Sequence, residues 1–166
     1  MKTLPLAAAA LALIVAGCSS DPEIDASATG TTGGQISGAG LPPVNSPEYF
    51  RQVVGDRVFF ATDRHDLDAE AQATLQGQAE WLASNPGTSA TIEGHADERG
   101  TRAYNLALGA RRANSVRDFL VARGVDPSRL RTVSFGKERP IALGSDPSSW
   151  SQNRRSMTIV SGAPGS

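Results

Sequence analysis

Asp97 and Arg99 stand in a charged loop, Asp97-Glu98-Arg99-Gly100, directly ahead of a segment that carries Thr101, Asn105, Leu108 and Arg112 at spacing i, i+4, i+7, i+11. On a helix this spacing sets the four residues on one side within a narrow angle, so a carboxylate from the loop and a guanidinium from the helix converge on one small cleft. An arginine fork takes a carboxylate bidentately, whereas an aspartate accepts from an amine and repels a second acid. Asp97 then meets an ammonium and Arg112 a carboxylate, which together select a zwitterion. Backbone amides at the helix start add donors for the anionic end. Polar residues on an arbitrary helix are usually its solvated face; here the charged loop argues for a site.

Other chemistry finds little support. The chain has two histidines, His65 and His95, and one cysteine, too few ligands for a metal shell, so neither metal nor cofactor is expected. Ser134-Phe135-Gly136-Lys137 matches a serine–lysine spacing, but it straddles a strand end and lacks the partner motifs that such a nucleophile needs. No Gly-x-Ser-x-Gly elbow occurs. The expectation is a binder without turnover.

The elements that must position these residues follow from periodicity. Arg57–Thr62 is β-branched and aromatic, as a strand is. Asp68 is a candidate N-cap for a helix to Ser84, with Ala71, Leu75, Ala79 and Leu82 at helical spacing, stopped by Asn85-Pro86-Gly87. Ser89–Gly94 alternates as a half-buried strand. A longer helix runs from near Thr101 to Arg123, with Leu106, Ala110, Ala113 and Leu120 on or near its core stripe and Gly124 at C′. Leu130–Phe135 reads as a third strand, Ser148–Asn153 as a short helical turn and Ser156–Val160 as a last strand. This predicts an α+β domain of order β-α-β-α-β-(α)-β. Two β-α-β units imply parallel pairing, with a last strand of opposite sense, and two main helices cover one face of a mixed four-stranded sheet.

The start of the chain is of another kind. Lys2 followed by the apolar stretch Leu4–Ala16 is too short to span a bilayer and reads as a secretory signal, residues 1–17. Val15-Ala16-Gly17-Cys18 resembles the lipobox of bacterial lipoproteins, which implies acylation of Cys18. An odd cysteine in an exported chain has no intrachain partner, which favours lipidation over a disulfide. Residues 18–47 are rich in Gly, Ser, Thr, Ala and Pro and are expected to be a disordered linker reaching roughly 30 Å as a coil and about 100 Å when stretched. Residues 48–166 form the expected domain. There acids and bases nearly balance, so no nucleic-acid partner is expected.

The string Glu93-Gly94-His95-Ala96-Asp97-Glu98-Arg99-Gly100, with Tyr104-Asn105, Leu108-Gly109, Arg111-Arg112-Ala113-Asn114, Phe135–Pro140 and Asn153-Arg154-Arg155, closely resembles the peptidoglycan-associated lipoproteins of the Tol–Pal system, which carry an OmpA-like domain. The resemblance covers roughly residues 55 to 160. It implies a cleft for the diaminopimelate side chain of a peptidoglycan stem peptide, with Asp97 and Arg112 as clamp, Arg99, Thr101, Asn105 and Leu108 around it, and Thr62 and Asp63 on the opposite wall. It further implies an outer-membrane protein facing the periplasm, since Ser19 and Ser20 lack the inner-membrane aspartate signal, and a role in envelope integrity and cell division. The implied partners are peptidoglycan, the outer membrane through Cys18, the Tol-system periplasmic β-propeller protein and other Tol components. Arg154 and Arg155 are left outside the core site as edge protection. The alternatives are a periplasmic peptidoglycan hydrolase or amidase, and a stator-like OmpA-domain protein.

Overall fold

A computed structural model describes residues 40–162. The signal, Cys18 and most of the linker expected from the sequence lie outside the described residues. A short helix α1, Pro47–Tyr49, opens the domain with Ser46 as its cap and continues as a π-helical segment, Phe50–Gly55. Four strands follow, β1 (Arg57–Phe59), β2 (Ser89–His95), β3 (Leu130–Gly136) and β4 (Arg155–Ser161), interleaved with α2 (Ala69–Ser84), α3 (Arg102–Ala122) and α4 (Pro147–Asn153). The expected α+β order is what is found.

Local chemistry sets each boundary. The Asp68 carboxylate accepts from Ala71 N–H at 2.8 Å to start α2, and the Thr101 hydroxyl accepts from Tyr104 N–H at 3.2 Å to start α3. Gly124, at φ +92°, ends α3, where Val125 N–H reaches back to the Leu120 carbonyl. A distant cation closes the end of α2 and the turn after it: Arg129 donates to the carbonyls of Leu82, Asn85 and Thr88 at 2.8–2.9 Å. Ser46-Pro47-Glu48 was a legible helix start, with cap, proline and acid in order, although the region before Arg57 carried no helix expectation.

The sheet order is β1-β4-β2-β3. β2 and β3 pair in parallel, but β1 and β2 do not touch; β4 lies between them, antiparallel to both. The second β-α-β unit pairs in parallel and the last strand runs in the opposite sense, as expected; the correction is to the first unit, whose strands β1 and β2 are separated by β4. β1 is only three residues long, whereas β4 offers seven and satisfies β2 over six of them, so the longer antiparallel ladder takes the centre.

The core lies between one sheet face and α2 and α3, where Leu75, Leu82, Val116 and Leu120 meet Val58, Ala90 and Ile92. Phe50 packs edge-on against Trp81 at 4.9 Å. Of the expected α3 stripe, Ala113 and Leu120 are fully buried, but Leu106 is 44% exposed, and the buried line also takes in Leu108, Gly109, Arg112 and Val116. Two glycines set how closely α3 lies on the sheet. A Cβ on Gly94 would overlap the Gly109 carbonyl, and one on Gly109 would meet Gly94 of β2 and the Ser134 hydroxyl of β3, so α3 lies on the sheet closer than any side chain permits. The close approach brings Gly109 and Arg112 into the buried line beside Ala113 and Leu120, while Leu106, near the start of α3, stays exposed.

Candidate functional site

A cavity of about 250 Å³ opens where the segment after β1, the β2–α3 loop and the first three turns of α3 meet. Of the residues the sequence singled out, Thr62, Asp63, Asp97, Arg99, Asn105, Leu108 and Arg112 line it. Thr101 does not; its hydroxyl caps α3 just below the rim.

Arg112 is completely buried. Its Nε donates to the Arg64 carbonyl at 2.8 Å, Nη1 to the His95 carbonyl at 2.8 Å and Nη2 to the Ala61 carbonyl at 3.1 Å, while the guanidinium lies 5.0 Å from the Phe60 ring centre. Burial, reinforced by the charge of Arg154, pulls this guanidinium down to about 10, so it stays cationic at neutral pH. The one side chain therefore supplies positive charge and fixes the wall that it faces. Three of its five N–H groups are spent on carbonyls, and the other two make no hydrogen bond among the described residues.

Asp97 is held just as firmly. Its carboxylate accepts from the Arg99 backbone at 3.1 Å, from Arg99 Nη2 at 2.7 Å and from Arg154 Nη1 at 3.4 Å. Burial on its own would raise this carboxyl; the Arg99 bonds, with help from Arg154, overcome it and hold the group below the ordinary carboxylate value. Asp97 is thus ionised but already engaged. Arg99 also reaches the Thr62 hydroxyl at 3.3 Å, which joins the two walls.

The remaining residues shape the cavity. The Asn105 side-chain amide is buried and donates to the Arg99 carbonyl at 2.7 Å, holding the loop against α3. Leu108 gives an apolar floor. Asp63 has φ +59°, in the left-handed region that a non-glycine residue seldom occupies, and the Tyr104 hydroxyl donates to its carboxylate, which fixes it at the rim.

Two arginines set aside in the sequence part company here. Arg155 is buried beside the Arg139 carbonyl, away from the cavity. Arg154 lines it, donating through Nε to the Phe60 carbonyl at 2.9 Å. The antiparallel pairing of β1 with β4 brings residue 154 opposite residue 60, so Arg154 becomes recognisable only once those strands are known neighbours. Tyr104 and Gly100 are further lining residues that sequence reasoning passed over.

Comparison with known proteins agrees with this architecture. Residues 59–154 match the OmpA family. A peptidoglycan-associated lipoprotein of Rhizobium meliloti (strain 1021) is 53% identical over 92% of this chain and 85% of its own length. The crystal structure of the peptidoglycan-associated lipoprotein from Burkholderia pseudomallei superposes with a TM-score of 0.66 at 41% identity, covering 70% of this chain and all of that one. The C-terminal domain of Helicobacter pylori MotB shares the fold, with a TM-score of 0.61 at 21% identity over 65% of this chain and 85% of that chain. Among the described residues no helix is long and apolar enough to cross a membrane. The chain belongs to the OmpA family and, within it, to the peptidoglycan-associated lipoproteins.

Proposed function

We propose that this protein is a non-enzymatic tether that captures diaminopimelate-containing peptidoglycan stem peptides non-covalently in the cavity between Asp97 and Arg112, holding the outer membrane to the cell wall. The observation that carries the reading is the cavity itself: a space of about 250 Å³ with an ionised carboxylate on one wall and a buried cationic guanidinium on another. Opposite charges fixed at separate points match the ammonium and carboxylate at one end of diaminopimelate, and little binding energy is lost to reorganising them. The lysine that replaces diaminopimelate in other cell walls has the ammonium without the carboxylate.

The names of the relatives, peptidoglycan-associated lipoproteins, support the wall ligand and the lipid anchor. In this proposal Cys18 carries the acyl chains, residues 18–47 are the leash, and residues 48–166 are the domain that searches the wall from the periplasmic side of the outer membrane. The partners proposed are peptidoglycan and the Tol-system β-propeller protein, with a role in envelope integrity and division.

The deciding experiment titrates the full chain in detergent micelles with a diaminopimelate stem peptide and with its lysine analogue. The proposal expects clear preference for diaminopimelate; equal affinity overturns it. Incubation with purified sacculi separates the tether from a hydrolase, because co-sedimentation without release of soluble muropeptides is expected and release contradicts it. Labelled palmitate incorporation that survives Cys18→Ser would overturn the anchor.

A further inference from the structure

The charges of the cavity walls do not balance, and this extends the diaminopimelate reading on which the present inference rests. Asp63 and Asp97 face Arg99, Arg112 and Arg154, one guanidinium more than there are carboxylates. The side-chain end of diaminopimelate carries one ammonium and one carboxylate and is neutral overall, so it cannot offset the surplus. A ligand with one further carboxylate can.

The hydrogen bonds show where the surplus lies. Arg99 is spent on Asp97, with Nε and Nη2 both directed at its carboxylate. Arg112 has three of its nitrogens tied to carbonyls. Arg154 is less committed. Its Nε holds the Phe60 carbonyl, its Nη1 makes only a long 3.4 Å contact to Asp97, and its Nη2 has no hydrogen-bond partner among the described residues. The side chain is 14% exposed, so it is oriented by the strand junction yet open to the cavity. The charge of Arg154 also bears on Arg112: it lowers that guanidinium after burial has done so, against the opposing effect of Asp97 and Asp63. An arginine that merely protects a sheet edge faces solvent, whereas this one faces the site.

We propose that Arg154 is a specificity-determining residue that binds a second carboxylate of the same stem peptide, outside its zwitterionic end. A stem peptide offers two such groups, the carboxylate at its C-terminus and the α-carboxylate of its D-glutamate. Both present the same planar anion to a guanidinium.

The test is calorimetric titration of the full chain in detergent micelles at fixed ionic strength. Four probes are used: the diaminopimelate tetrapeptide, the same peptide with its C-terminus amidated, the same peptide with the D-glutamate α-carboxylate amidated, and the lysine tetrapeptide. Wild-type protein is expected to lose about tenfold in affinity or more on one of the two amidations, which identifies the carboxylate that Arg154 reads. Arg154→Gln is expected to bind the free acid no better than that amide while still preferring diaminopimelate over lysine. Arg154→Lys keeps the charge and is expected to keep part of the acid preference. Equal wild-type affinity for the acid and both amides overturns the inference without any variant, so it stands exposed even if Arg154→Gln folds poorly. Retention of the full acid preference by Arg154→Gln overturns it too. Equal binding of diaminopimelate and lysine peptides overturns the proposed function, and this inference with it.

Discussion

Arg112 Nη1 donates to the His95 carbonyl at 2.8 Å, tying the middle of α3 to the end of β2. Because the same guanidinium also holds the carbonyls of Ala61 and Arg64, a single side chain sets the distances among three segments that wall the cavity.

A lysine cannot reproduce that arrangement, since its compact ammonium lacks the rigid fork that reaches three divergent acceptors. Arg112→Lys is therefore expected to lose stability as well as affinity, by about 3 kcal/mol in urea unfolding, as buried carbonyls lose their partners. Unchanged stability would show that these carbonyls find other donors.

Asp97 is expected to matter through charge more than shape. Asp97→Asn keeps the volume but leaves Arg99 and Arg154 without their anion, so affinity for a diaminopimelate peptide at pH 7 should fall by a factor of about 30. The pH dependence has a definite sign: the folded carboxyl sits below its ordinary value of 3.8, so its contribution is full above that value and is lost only as pH falls through the lower, folded one. Wild-type binding should be level from pH 7 to 5. A decline within that range would show that Asp97 lacks this protection.

The approach of α3 to the sheet offers a purely steric test. Gly109→Ala places a methyl against the Ser134 hydroxyl and the Gly94 carbonyl, and Gly94→Ala places one into the Gly109 carbonyl; the Ser134 hydroxyl can rotate away, but the backbone contacts between the two glycines cannot. Each variant is expected to lose about 2 kcal/mol or more in urea unfolding, and Gly94→Ala, which meets only backbone, should lose the more. Equal stability of wild type and Gly94→Ala would mean that the helix shifts freely, which would also move Arg112.

Much of this organisation was legible in the chain because it is local. Asp68, Thr101 and Gly124 announce their helix ends by cap chemistry that acts within a few residues. What escaped depends on tertiary neighbours. The position of β4 between β1 and β2 is a long-range pairing choice, and the place of Arg154 in the cavity follows from it. The close seating of α3 was hidden for a related reason: hydrophobic spacing found Ala113 and Leu120, but the contact of Gly94 with Gly109 involves residues that have no side chain to count. Among the site residues, Asp97 and Arg112 could be named from spacing, but the engagement of Arg112 by three carbonyls belongs to parts of the chain distant in sequence.

His95 predicts an acid weakness. Its ring is buried, with Nε2 3.2 Å from the Glu93 carboxylate and Nδ1 without a partner among the described residues. Burial, with Arg155 and Arg139 nearby, lowers it to about 4 from an ordinary 6.5. A histidine lowered in the folded state takes up a proton more readily when unfolded, so stability is full above pH 6.5 and is lost as pH falls from there to about 4. Urea unfolding between those limits should show a loss of up to about 3 kcal/mol. A His95→Gln variant, which cannot titrate, should show a flatter profile; an identical slope in both proteins would assign the acid weakness elsewhere.

Trp150 of α4 is expected to act on the cavity through Arg99. The Arg99 guanidinium lies 4.3 Å from the Trp150 ring centre, and the indole N–H donates to the Glu98 carboxylate at 2.9 Å, so loop and helix are stapled by a stacked cation and a hydrogen bond. Lys137 braces the same loop through the carbonyls of Glu98 and Gly100. Arg99 itself is 42% exposed and would otherwise sample several rotamers; stacked on the indole, it stays where it chelates Asp97 and touches Thr62. Trp150→Leu should weaken diaminopimelate-peptide binding by about fivefold, a cation–π contact being worth roughly 1 kcal/mol, with little change in urea unfolding. A double-mutant cycle distinguishes positioning from packing. In an Arg99→Ala background the Trp150 substitution should cause no further loss, because the group it orients is gone. Additive losses would mean that Trp150 acts on the ligand or the fold directly, rather than through Arg99.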